Sequence, residues 1–165
     1  MASKILTGDM LELMENILNI LDNEIYSLHS CALVSRYWCK LSIPLLWQNP
    51  FSIDQSPSFI SQYFSSLDEN EQIILKVYGI NIKFPNTLFN YAKFLKFLDL
   101  SRLEDKVTNW IDLQHVNMIH SLKCHIINFL FKLFIENGAN LHKLDLYFSD
   151  YEIKPEIFYS LERNK

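Results

Sequence analysis

Apolar residues follow helical spacing near the start of the chain: Met10, Leu13, Met14, Ile17, Leu18 and Leu21 fall at i, i+3, i+4, i+7, i+8 and i+11. The pattern predicts an amphipathic helix over residues 9–21, with Asp9 as its N-cap and Glu12 at the third position, similar to a capping box. Asp22 and Asn23 interrupt the pattern and can cap a second helix, predicted from about Glu24 to Ser42. That helix is expected to stop near Ile43, because Pro44 disfavours helical geometry in the residue before it. Pro44 in turn suits the first turn of a short third helix, "PLLWQ". Within the second helix His29, Arg36 and Lys40 share a polar strip roughly 40° wide. Ile25, Leu28, Cys31, Ala32, Leu33, Val34, Tyr37, Trp38, Cys39 and Leu41 occupy nearly all the rest. A surface helix needs an apolar stripe of only about 100°. The excess implies a covering second domain or a partner protein, or else plain core packing against residues beyond 50.

Downstream, "QNPFSIDQSPS" (48–58) concentrates turn formers and reads as a boundary. Ser56 can cap, and Pro57 can start, a helix through "SFISQYFSSL"; "DENEQ" follows as a solvated turn and a further helix start. Periodicity leaves "IILKVY" (73–78) open between helix and strand. Two later stretches match each other, "LKFLDL" at 95–100 and "LHKLDL" at 141–146, both L-x-x-L-x-L with Asp at the same place. "KPEIFYSLERNK" is expected to form a helix from Pro155 to the last residues given. The fold class expected is mainly α with a few short strands.

Composition narrows the function classes. The 165 residues are 49% hydrophobic and 21% charged, with twelve Phe and eight Tyr, which excludes a disordered chain. A formal net charge of -4 without a dense Lys/Arg block removes the electrostatic term behind nonspecific nucleic-acid binding. The three cysteines form no CxxC pair and read as reduced thiols. No apolar stretch is long enough to span a bilayer, and the first residues carry no signal-type apolar core, so cytoplasm or nucleus is the expected location. The three glycines lie far apart, which excludes a phosphate-cradling loop. There is no GxSxG elbow and no HExxH pair. His115, His120 and His125 recur at helical angles about 140° apart and do not converge on a metal. His120 and Cys124 share a helix face, but two ligands fall short of a zinc site, and nothing nearby argues for an activated thiolate. No catalytic residue, metal or cofactor is assigned, and the chain is not expected to be an enzyme.

The residues from Met10 to Trp47 resemble the F-box, a three-helix motif of the pattern L-P-x-E-(I/L), I-(F/L)-x-x-L, (L/V)-V-(S/C)-(R/K)-x-W and a closing L-W. The matching pieces are Met10, Leu11, Glu12 and Leu13; Ile17, Leu18 and Leu21; Leu28; Leu33, Val34, Ser35, Arg36 and Trp38; Leu41; and Leu46 with Trp47. Met10 and Leu11 depart from the usual Leu-Pro but stay apolar. The resemblance implies docking on a Skp-type adaptor of a cullin-RING ubiquitin ligase. It assigns Met10, Leu11, Leu13, Met14, Ile17, Leu21 and Leu28 to the adaptor-facing side, with Val34 and Trp38 beside them; Trp38 and Trp47 fit equally well as internal pins. The matched pair of L-x-x-L-x-L stretches resembles leucine-rich repeats. In such repeats Leu95, Leu98, Leu100, Leu141, Leu144 and Leu146 would be core, and Lys96, Phe97, Asp99, His142, Lys143 and Asp145 exposed. The separation of the two copies exceeds the roughly 20 to 29 residues of a usual repeat, leaving room for a long helical return or a divergent repeat.

The organisation expected is therefore an F-box at 1–50, a linker and helix at 51–72, and an irregular leucine-rich-repeat-like solenoid segment at 73–165, which these features mark as a truncated or minimal array. The function implied is a substrate adaptor that recruits a protein target for ubiquitination, with Lys96, Asp99, His142 and Asp145 as candidate target contacts. The alternatives are a repeat scaffold without ligase binding and an F-box competitor lacking a complete target site. A helix-turn-helix DNA binder would need a recognition helix rich in Arg, Lys, Asn or Gln, which is absent.

Overall fold

The computed structural model describes residues 5–22, 24–81, 86–116 and 120–146, with only the backbone of residues 5–9 and 66. The chain divides into two compact units, Met1–Gln48 and Asn49–Lys165.

The first unit holds three helices: α1 (Ile5–Ile20), α2 (Ile25–Val34) and α3 (Arg36–Leu46). Helix α1 starts before the predicted cap, so Asp9 lies inside it; no proline blocks Ile5–Gly8, and one glycine costs a helix only about 1 kcal/mol. The expected long second helix is instead two. Ser35 adopts extended backbone at φ -160° and ψ 166°, and its hydroxyl accepts a hydrogen bond from Trp38 N at 3.3 Å, which caps α3. A short polar side chain that satisfies a free helix N–H thus ends one helix and starts the next. Pro44 does not end a helix but sits in the last turn of α3. Pro44 lacks the N–H that would complete one i→i−4 bond, yet the helix continues two residues past it, and Trp47 N donates to the Ile43 carbonyl at 3.1 Å. Glu24, with no side-chain cap bond, precedes α2, while the Asp22 carboxylate accepts from Gln48 Nε2 at 2.5 Å and so closes the three-helix unit. Asn23, the other expected cap, lies outside the described residues. The core is Leu18, Leu28 and Leu46, with Leu21, Ile25, Cys31, Ala32, Trp38, Leu41 and Trp47 packed against it.

The second unit begins at Asn49, and residues 51–72, expected as a linker and helix, hold short helices and contribute Phe51, Ile60, Tyr63 and Phe64 to the buried core. Phe51, in a 3-10 turn at Pro50–Ser52, is fully buried and stacks on Tyr63 and edge-on to Phe134. Ser56 caps a 3-10 turn at Pro57–Phe59, which runs into α4 (Ile60–Tyr63) and a further 3-10 turn at Phe64–Ser66. "IILKVY" is helical, within α5 (Glu69–Val77), whose start is a full capping box between Asp68 and Glu71. Its end is a Schellman motif: Gly79, at φ 87°, donates to the Lys76 carbonyl and Ile80 N to that of Leu75, with both apolar side chains fully buried. A 3-10 turn at Tyr91–Phe94 leads into β1 (Phe97–Asp99), α6 (Leu100–Leu113), α7 (His120–Glu136) and β2 (Lys143–Asp145).

Strands β1 and β2 pair in parallel, with Phe97 opposite Lys143, Leu98 opposite Leu144 and Asp99 opposite Asp145. This is the alignment of the two sequence copies, position for position. Parallel neighbours need a crossover, and α6 with α7 supplies it. Leu95, Leu98 and Leu100 are core as expected; Leu141 and Leu144 are half-buried, and Leu146 is exposed. Two strands and two long helices make one turn, and a repeating solenoid is not seen among the described residues. The helix expected at 155–165 falls outside them. Trp110 anchors α6: its indole donates to Ser61 Oγ at 3.0 Å and its ring meets Phe64 edge-on. Lys132 on α7 donates to Glu71 of α5 at 2.5 Å, so the residue that completes the capping box also ties two helices together.

Candidate functional site

Helix α1 carries more apolar surface than its own unit covers. At about 100° per residue its apolar residues span an arc of roughly 180°. One part of that arc, Met14, Leu18 and Leu21, turns inward; the other part, Met10, Leu13, Ile17 and Ile20, is exposed, with Ile20 at 82%. Glu12, Glu15, Asn16 and Asn19 fill the opposite side of the helix. Helix α2 adds Tyr26 and Leu33, seven residues apart on one face, and Leu33 is 87% exposed. Val34 and Tyr37, on either side of the Ser35 break, are exposed as well. The division of the long helix thus did not remove the surplus apolar surface; it placed it beside the break. Exposed apolar side chains in this number on one small unit exceed what its own fold requires.

The nine predicted adaptor-facing residues fall into two groups. Met10, Leu11, Leu13, Ile17 and Val34 are exposed. Met14 and Leu28 are buried, Leu28 to 1% exposure, while Leu21 and Trp38 are half-buried against the core. Leu28 holds α2 to the rest of the unit, and in this conformation it has no surface to offer a partner. Ile20, Tyr26, Leu33 and Tyr37 were absent from the predicted set. The spacing of Ile20, three residues after Ile17, contained the signal; the exposure of Leu33 and Tyr37 depends on the break at Ser35.

The predicted target contacts lie on β1 and β2 or one residue before them, and two of the four, Asp99 and Asp145, already have polar partners for their carboxylates. Asp99 accepts from Arg102 N at 3.2 Å and so caps α6. Asp145 pairs with Lys143 at 2.8 Å. A hydrogen bond to Asp145, reinforced by the charges of Asp145 and Asp99, holds the Lys143 ammonium above its ordinary pKa. The Lys96 carbonyl accepts from His142 N at 2.8 Å and Lys143 N at 3.2 Å, and the His142 ring sits edge-on to Phe97. The Lys96 side chain is half-buried and that of His142 exposed.

No metal or nucleophile centre assembles among the described residues. Cys124 Sγ lies 3.4 Å from His120 Nε2, but no group of three or more His, Cys, Asp or Glu that could hold an ion occurs there. Burial, foremost, pushes the Cys124 thiol up, away from the thiolate form. His115 follows α6 in left-handed backbone, apart from His120 and His125 on α7. Among the described residues no helix is long and apolar enough to cross a membrane.

No curated protein and no solved structure matches the chain. A protein-family model, described as F-box-like, matches residues 11–52, about a quarter of the chain, and its span covers α2, α3 and all but the first residues of α1. The match supports an F-box reading of the first unit and, with it, a general role in adaptor function within cullin-RING ubiquitin ligases.

Proposed function

We propose that the chain is a non-catalytic substrate adaptor, which docks on a Skp-type adaptor through its first unit and holds a protein target on its second. The observation that carries the reading is the exposed apolar half of α1, continued by Tyr26, Leu33 and Val34 of α2, within residues that match the F-box-like family. Covering these side chains would remove water from apolar surface at about 25 cal/mol per Å2, and any partner that binds only the folded unit would stabilise it in turn. The second unit is read as a leucine-rich-repeat-like region, supported by the in-register pairing of its two L-x-x-L-x-L copies. Fixing a target beside a ubiquitin-loaded conjugating enzyme raises its effective concentration, so the chain itself contributes no chemical step. Cytoplasm or nucleus is the location this role requires.

A second reading keeps the ligase docking without a target of its own, so that the chain competes with other adaptors. It is favoured by Asp99 and Asp145, two of the four candidate target contacts, being already committed to a helix cap and to Lys143. Isothermal titration of the purified chain with a Skp-type adaptor tests what both readings share. A one-to-one complex with submicromolar affinity is expected, and a folded chain that shows no heat of binding would refute them.

A further inference from the structure

A pocket of about 470 Å3 opens in the second unit between the α4 segment and the loop at 86–92. We infer that this pocket binds an uncharged peptide segment, which makes it the target-recognition site of the proposed adaptor; the inference rests on the recruiting role proposed above. Its walls carry Gln62, Ser65, Asn86, Thr87 and Asn90, with Phe89 and Tyr91 as aromatic surface, and among the described residues none of the lining side chains is charged. The loop is held by its neighbours at two places. Ser65 Oγ and Thr87 Oγ1 are 3.0 Å apart, and Asn90 Nδ2 donates to Asn137 Oδ1 at 2.6 Å. These bonds fix the walls before a ligand arrives, which lowers the ordering cost of binding.

The chemistry of the lining selects the ligand. The described lining residues carry no cation or anion to compensate for desolvating a phosphate, carboxylate or ammonium, so these walls disfavour charged ligands. A primary amide pairs one donor and one acceptor with the N–H and C=O of a peptide unit. Gln62 and exposed Asn86 supply two such groups. Leu88 lies among the lining residues at 90% exposure, an apolar contact placed beside the hydrogen-bonding walls. Amides for a backbone, half-buried rings and an exposed leucine for uncharged side chains together describe a short stretch of polypeptide.

The test is selection of a displayed library of random decapeptides on the full chain, followed by fluorescence anisotropy of the enriched peptides. Enriched sequences should be depleted in Asp, Glu, Lys and Arg. Their affinity should fall at least tenfold in Gln62→Glu/Asn86→Asp and several-fold in Leu88→Ala, with unchanged circular dichroism. Asn86→Ala alone, a change at an exposed position, provides the same test if the double variant fails to fold. Ile73→Ser, at an exposed position on α5, should leave binding unchanged. Absence of enrichment, enrichment of charged peptides, or affinity indifferent to the pocket variants would overturn the inference. Loss of peptide binding in Ile20→Ala would also do so, since it would locate the peptides on α1. The Skp-type adaptor is absent from this assay, so failure of ligase docking and failure of the pocket are read separately.

Discussion

Leu28 shows how little holds the first unit together. It is one of three buried side chains in the core cluster, with Leu18 and Leu46, in a unit of fewer than 50 residues, near the size at which a domain needs help to fold. Leu28→Ala removes a side chain that is 99% buried, and such truncations cost about 2 to 5 kcal/mol, counting lost transfer energy and the cavity left behind. A unit this small has little more than that to lose. Amide hydrogen exchange on the Leu28→Ala chain should therefore show protection lost across α2 and α3 while α6, built on Trp110 and its own core, keeps its protection. On the proposed function, a Skp-type adaptor that binds the folded unit only should return about 2.7 kcal/mol of the loss at 100 times its dissociation constant. Undiminished protection in α2 and α3 would refute the placement of Leu28 in the core. Loss that spread equally through α6 would refute the independence of the two cores.

The charge and cap of Glu71 are separable: Glu71→Gln should cost under about 1 kcal/mol, since Lys132 is 47% exposed and solvent screens the pair, whereas Glu71→Ala also loses half of the capping box and should cost about 1 to 2 kcal/mol in urea melts. The hydrogen bond to Glu71 holds the Lys132 ammonium above its ordinary pKa, so the pair's stabilisation is present at neutral pH and lost as pH rises through the raised value; the gap between wild type and Glu71→Gln should close only above the usual lysine range. Ser35→Ala removes the cap on Trp38 N and should lower the stability of the first unit by about 1 kcal/mol, measured by exchange of the α3 amides. Gly138 ends α7 at φ 71° with its N–H on Ile135 and that of Ala139 on Phe134; a Cβ there meets nothing within 4 Å, so Gly138→Ala should cost only the left-handed strain of about 1 to 2 kcal/mol in thermal melts.

Local patterns in the sequence proved most readable where one residue type has one physical use. The i, i+3, i+4 spacing gave α1 and its apolar arc, of which only Met14, Leu18 and Leu21 turn inward, and the twin L-x-x-L-x-L stretches gave the register of β1 against β2, because side chains on parallel neighbours must match the same core. The break between α2 and α3 was not legible. Pro44 is a stronger helix breaker than Ser35 in isolation, yet α3 runs through Pro44 to Leu46, and it is the serine, whose hydroxyl reaches a free N–H and gains a cap, that marks the break. The Asp68–Glu71 capping box lies within "DENEQ", whose polar composition alone indicates a solvated turn and helix start. The split of the adaptor-facing residues into buried and exposed sets depends on tertiary packing: Leu28 and Leu33 are the same residue type on one helix, and Leu28 is the one covered, in a cluster with Leu18 of α1 and Leu46 of α3. The pocket was invisible because its walls meet across Gln62–Ser65 and Asn86–Ala92, two segments with no shared pattern.

The central claim is that the exposed apolar half of α1 is a docking surface and not a stabilising one. Leu13→Ala/Ile20→Ala tests it, since both side chains are mainly exposed and alanine keeps the helix. Scaling about 1.5 to 3 kcal/mol per fully buried side chain by these exposures gives roughly 3 kcal/mol for the pair, or about two decades in Kd. Titration of a Skp-type adaptor should show that hundredfold loss, with the stability of the first unit changed by no more than about 0.5 kcal/mol. Unchanged affinity in the folded double variant would contradict the account.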